Sequence, residues 1–174
     1  NPPGRETDGA RFLAAALEGD GIASETAESA EGRGNLVARV RGDGSLPGIV
    51  LHHHIDVVYA DRRYWSVDPF GGVIQNGYLY GRGALDMKST GILQLGAVLA
   101  IKRARVPLKR DLVYLATADE EAGSRFGARL EPMSNVALQL YKGRELDIVT
   151  QVETIDANRA LREHYGSLTH ATSM

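Results

Sequence analysis

Segments that read as strands alternate along this chain with segments that read as helices, and that alternation constrains the fold more than any single residue does. Residues 8–18 put Ala10, Phe12, Leu13, Ala16 and Leu17 at helical spacing and stop at Gly19 and Gly21. Residues 35–41 alternate apolar and polar, 48–58 form a second, more buried extended run, and 77–80 add a short aromatic strand. Residues 86–104 read as a long helix whose wide apolar face carries Ile92, Leu95 and Leu99, with Val98 and Ile101 beside them. A buried strand follows at 112–117, then a helix over 124–140 that Pro132 should break or kink, then a strand at 147–152. This order predicts an α/β domain with a mostly parallel sheet flanked by helices. In such sheets, functional groups collect where strands end at their carboxyl edges.

The 174 residues suggest one domain with a real core, and 43% hydrophobic with 24% charged residues is ordinary for a globular protein. A net charge of −2 argues against a general affinity for nucleic acid or anionic membrane. The basic run Lys102-Arg103-Ala104-Arg105 with Lys109-Arg110 suits a solvated helix end. No stretch approaches the roughly 18–20 unbroken apolar residues of a membrane span, and no signal peptide is legible, so a cytoplasmic protein is expected. With no Cys there is no disulfide or thiolate chemistry, and any metal must be held by His, Asp and Glu.

Three polar clusters stand at predicted strand exits. In His52-His53-His54-Ile55-Asp56, alternation puts His54 and Asp56 on one face, where the carboxylate can fix one ring nitrogen and leave the other for a metal. His52 shares that parity, so pattern alone leaves both open, and a plain surface histidine run would look the same. In Gly81-Arg82-Gly83-Ala84-Leu85-Asp86-Met87-Lys88, Asp86 sits at the expected helix start, where an N-cap is the simpler reading. In Ala118-Asp119-Glu120-Glu121, adjacent carboxylates repel unless cations or protons intervene; Glu120 and Glu121 point apart and can divide metal binding from proton transfer. A solvated acidic turn is the alternative. Together, such residues can hold two divalent ions when one carboxylate bridges them.

The strings His54-Ile55-Asp56-Val57-Val58, Trp65-Ser66-Val67-Asp68-Pro69-Phe70-Gly71-Gly72, Gly77-Tyr78-Leu79-Tyr80-Gly81-Arg82-Gly83-Ala84-Leu85-Asp86-Met87-Lys88 and Thr117-Ala118-Asp119-Glu120-Glu121 resemble, in order and spacing, the M20 metallopeptidases. That group includes aminoacylase, glutamate carboxypeptidase, succinyl-diaminopimelate desuccinylase and acetylornithine deacetylase. The resemblance covers about residues 1–130 and implies roles for individual residues. His54 would bind one metal with Asp56 orienting it, Asp86 would bridge two ions, Glu120 would be the general base and acid, and Glu121 would bind the second ion. It also implies a cis Asp86–Met87 peptide bond. A further acidic ligand is expected from Asp147-Ile148-Val149-Thr150-Gln151-Val152-Glu153-Thr154, with Glu153 the best candidate and Glu145 or Asp147 as alternatives. Gly166-Ser167-Leu168-Thr169-His170 is similar to a lid-domain motif whose histidine assists substrate binding across a dimer.

The resemblance implies the N-terminal part of a zinc-peptidase-like catalytic domain over 1–155, with 156–174 a tail or the start of a lid and dimerisation domain. The cofactors would be two divalent ions, zinc first and cobalt or manganese as alternatives. The substrate would be an N-acyl amino acid or small peptide, and the parent a homodimer formed through its lid. The family's last metal-binding histidine has no counterpart here. Two rivals stand beside this reading. One is a catalytically incomplete fragment or degenerate homologue that binds metal weakly or not at all. The other is a neighbouring aminopeptidase family, against which Asp68-Pro69-Phe70-Gly71-Gly72 and Gly81-Arg82-Gly83 argue.

Overall fold

The computed structural model describes residues 4–122, 135–142 and 147–156. The chain divides into two compact units, Asn1–Gly127 and Ala128–Met174. The first holds helix α1 (Glu6–Gly19), strands β1 (Ser24–Glu28), β2 (Gly34–Val40) and β3 (Ile49–His54), a hairpin β4 (Val73–Gln75) and β5 (Tyr78–Tyr80), helix α2 (Thr90–Arg103) and strand β6 (Leu112–Thr117). The second holds β7 (Asn135–Lys142) and β8 (Asp147–Asp156), an antiparallel pair with register shifts at Asn135/Val136 and Gln139/Leu140. The expected domain boundary at 155/156 falls at the end of β8.

The α/β class is as the alternation predicts, but strand direction differs from expectation. The sheet order is β1-β2-β6-β3, and of its three pairings only β3 with β6 is parallel. A short turn joins β1 to β2, which forces an antiparallel hairpin, and β2 runs antiparallel to β6 as well. The sheet is therefore mixed, and its edge strand β1 is one the apolar pattern did not reveal.

The core forms where both helices meet one sheet face. Along β2 and β6, alternate residues Leu36, Ala38, Leu112, Tyr114 and Ala116 are buried on Ala10, Leu13 and Leu17 of α1 and Leu95 and Val98 of α2. Each Leu or Val buried there contributes roughly 1.5–3 kcal/mol. Phe12, which helical spacing placed with the core side chains, is instead 67% exposed. Tyr114 is fully buried, and its hydroxyl donates to the Gly91 carbonyl at 3.1 Å, which satisfies its polar end. A Cβ at Gly91 would lie 2.5 Å from the His53 ring, so only glycine lets α2 approach β3 this closely.

Two further expectations are corrected. The helix over 86–104 is not continuous. Residues Ala84–Ser89 form a wide turn in which Asp86 and Met87 have non-helical φ/ψ, and regular helix begins at Thr90. The run Ala84–Arg103 is apolar and long enough to cross a membrane by composition, yet its unbroken part is 14 residues, short of the roughly 20 a span requires. Of the helix expected over 124–140, residues 135–140 are instead part of β7, and residues 124–134 lie outside the described residues. Val136 and Leu140 fit a helical repeat, but Val136, Leu138 and Leu140 fit a period of two equally well, and pairing with β8 decides for the strand. Pro132 lies outside the described residues. The strand expected at 77–80 has a partner, β4, joined through Asn76-Gly77 with both residues at positive φ, a strong hairpin signal.

Candidate metal centre

The parallel pairing of β3 with β6, in the register His54↔Thr117, brings two loops out at the same sheet edge. His54 ends β3 and its ring reaches past the edge. His52, of the same parity, lies deeper and bonds Thr117 Oγ1 at 2.9 Å, while His53, on the opposite face, meets Gln94 Oε1 at 3.2 Å. Burial pushes both His52 and His53 down to about 4, so they are neutral side chains of the domain interior. The structure thereby separates the two histidines that alternation left equivalent.

The His54 environment is of the opposite kind. Its Nδ1 faces the Asp56 carbonyl at 3.1 Å and the Asp56 carboxylate at 3.6 Å, and its Nε2 faces Asp86 Oδ1 at 3.2 Å and Glu120 Oε2 at 3.9 Å. The Asp56 hydrogen bond, outweighing burial, pushes the ring up to about 9. Asp56 does more than orient this ring. Its Oδ1 accepts the Glu120 N–H at 3.1 Å and its Oδ2 the Glu121 N–H at 2.9 Å. Burial raises the Asp56 pKa, but the His54 bond and those two amides prevail and hold it below its ordinary value. One buried carboxylate thus joins the exit of β3 to the loop after β6.

Asp86 arrives from the turn before α2. Gly83 opens that turn at φ 79°, and a Cβ there would overlap the Val57 side chain, so glycine is required on both counts. The Asp86–Met87 bond is cis, as the resemblance implies. Asp86 does not cap α2: its carboxylate, 76% exposed, turns to His54, and α2 has no side-chain cap. Lys88 Nζ donates to the Ile55 carbonyl and ties this turn to the residue between His54 and Asp56.

Donor atoms of His54, Asp86 and Glu121 all lie within 4.8 Å of one another. Burial, and next the Asp86 charge, raise the Glu121 pKa. A cation would relieve the repulsion between the two carboxylates, and the surroundings of His54 already favour positive charge. With one nitrogen and two oxygens as donors and no sulfur, the set fits zinc, cobalt or manganese. Glu120, 50% exposed, stands beside it. Among the other expected ligands, Glu153 lies in β8 opposite Ala137 and Asp147 opposite Lys142; Glu145 and His170 lie outside the described residues.

Sequence reasoning missed the brace behind this loop. Asp119, at φ 69° and 3% exposed, pairs with Arg33, which also pairs with buried Glu6 at 2.9 Å. The Asn35 side-chain oxygen accepts the Ala118 N–H at 2.9 Å. These residues come from α1, the β1–β2 turn and β2, and no local spacing relates them.

A family model described as peptidase family M20/M25/M40 matches residues 50–158, more than half of the chain. A succinyl-diaminopimelate desuccinylase of Xanthobacter autotrophicus is 42% identical over 88 residues, covering 50% of this chain and 22% of that protein. Aminoacylase-1 of Sus scrofa is 40% identical over 87 residues, covering 49% of this chain and 21% of that protein. The structure of an M20 family metallo-carboxypeptidase from Sulfolobus solfataricus superposes with a TM-score of 0.58 at 25% identity, covering 68% of this chain and 27% of that one. The chain spans about a quarter of the length of these relatives or less.

Proposed function

The chain belongs to peptidase family M20/M25/M40, and from that premise we propose that it carries the metal-binding and proton-transfer residues of an amide hydrolase. Its substrate class is a small peptide or an N-acyl amino acid, the latter being the kind of compound that the names of the desuccinylase and aminoacylase relatives describe. The observation that carries the reading is the convergence of His54, Asp86 and Glu121 donors within 4.8 Å, with Glu120 beside them.

In this reading His54, Asp86 and Glu121 would hold divalent metal, zinc first. When bound, such ions make a water more acidic and polarise the substrate carbonyl. The protein's own residues do the rest. The half-exposed Glu120 accepts a proton from the water as its oxygen bonds to the carbonyl carbon. It then gives that proton to the amide nitrogen as the C–N bond breaks, so an acid and an amine leave. Asp56 keeps the His54 ring turned toward the ion and, through the Glu120 and Glu121 amides, keeps both glutamates in place.

Zinc titration of the intact protein, followed by turnover of a panel of N-acyl amino acids and dipeptides, tests the proposal. Glu120→Gln should lower kcat by about 10²–10⁴-fold while zinc binding stays near that of the parent. Retained activity removes Glu120 from its role. A second reading, a protein that binds one ion without turnover, rests on the three converging donors among the described residues, which suffice for one ion. A stoichiometry of two supports the hydrolase, and one with no turnover supports that alternative.

A further inference from the structure

The acidic loop after β6 is held from three sides. Asp56 accepts its Glu120 and Glu121 amides and Asn35 accepts its Ala118 amide, both from within the sheet edge. The third support is Arg33, whose guanidinium pairs with Asp119 on one side and with Glu6 Oε1, at 2.9 Å, on the other. All three members are at most about a tenth exposed, with side-chain exposures of 10% for Arg33 and 4% for Glu6 and Asp119. A buried arginine between two carboxylates is a weak source of net stability, because desolvation offsets the attraction; what such a group can secure is one geometry.

That geometry is at Asp119. Its φ of 69° lies in the left-handed region, which a residue with a Cβ seldom adopts without outside support. The reversal occurs at the residue before Glu120, so it sets the direction in which Glu120 and Glu121 leave the strand. Relaxing it would swing both side chains.

We propose that Arg33 is a positioning residue of the catalytic loop: by gripping the Asp119 carboxylate from the β1–β2 turn, it aims Glu120 at the reacting centre and Glu121 at the cation. The inference rests on the hydrolase reading for the roles of those two glutamates. Glu6 is the anchor that holds Arg33 in turn, and Gly34, where a Cβ would lie 2.7 Å from the Thr7 side chain and backbone, lets β2 begin close enough to α1 for that contact.

The test compares Arg33→Met, Arg33→Lys, Asp119→Asn and the Arg33→Met/Asp119→Asn pair in the intact protein. Two readouts are taken: kcat and KM on the best N-acyl amino acid of the panel, and cobalt(II) affinity of the ion-free protein with the cobalt absorption spectrum. Arg33→Met should lower kcat by about 10–100-fold with KM nearly constant, weaken cobalt binding about tenfold and alter the spectrum. Arg33→Lys should recover part of both, and the pair should be no worse than Arg33→Met alone. If Arg33→Met fails to fold, Asp119→Asn, nearly the same size, carries the same expectation. Folded variants with parental kcat and cobalt spectrum overturn the proposal, as do independent, multiplying effects of the two substitutions. A parent that neither binds cobalt nor turns over substrate defeats the hydrolase reading instead, and shows this before any variant is made.

Discussion

The two sides of the candidate centre are built differently. On one side His54, Asp56, Asp119, Arg33 and Glu6 are buried and cross-bonded; on the other, Asp86 is 76% and Glu120 50% exposed. Rigidity and reactivity are thus assigned to separate residues. The buried side fixes where the strand exits point, and the open side presents carboxylates that a cation, water or substrate can reach.

Substitutions on the two sides should fail in different ways. Asp86→Asn, on the open side, should weaken zinc binding by at least about 100-fold yet leave the melting temperature of the ion-free protein within a degree or so of the parent. A large drop in that temperature would erase the contrast. Asp56→Asn, on the buried side, should do both kinds of damage. It presents an amide where the Glu120 and Glu121 N–H groups need acceptors, so zinc affinity should fall about 10–100-fold and unfolding stability by about 1–3 kcal/mol. Chemical denaturation of the ion-free protein reads the second effect.

The histidines behind the site sharpen the comparison through pH. Burial lowers His52 and His53 to about 4 from an ordinary 6.5, so between those values the unfolded chain binds more protons than the folded one. Their contribution is complete above pH 6.5 and is lost as the pH falls from there toward 4. Melting temperature should decline over that window, and His53→Gln should flatten the decline; an unchanged slope would show that His53 is not the titrating group. The smallest effect is expected deepest in the fold. Tyr114→Phe, which removes the hydroxyl from the Gly91 carbonyl, should cost about 1 kcal/mol in denaturant unfolding, with zinc affinity unchanged.

What the sequence revealed follows the same division. α1, β2 and β6 were legible because half their residues face the core, and the three acidic or histidine clusters because each is contiguous. β1 was not, since Ser24-Glu25-Thr26-Ala27-Glu28 is an edge strand with little buried surface and so carries no apolar alternation. The interruption before α2 was hidden because the helix was read from Ile92, Leu95 and Leu99, all of which lie beyond the non-helical Asp86 and Met87. The Arg33 brace was illegible for a different reason: it joins residues far apart in sequence, and nothing near Arg33 marks it as buried rather than a surface cation. Contiguous chemistry can be read from one chain, whereas the long-range contacts that aim it cannot.

Val57 and Gly83, which meet so closely that no side chain fits between them, give residues 58–82 a property of their own. That excursion carries β4, β5 and exposed Tyr59, Tyr64 and Phe70, and its two ends meet beside the centre. The close meeting of Val57 and Gly83 sets the spacing of His54, Asp56 and Asp86 where the ends of the excursion join, whatever its length. A loop whose ends are already pinned can double in length for only about 0.6 kcal/mol of closure entropy. Such a segment can change in length while its two ends, and the donors beside them, stay where they are.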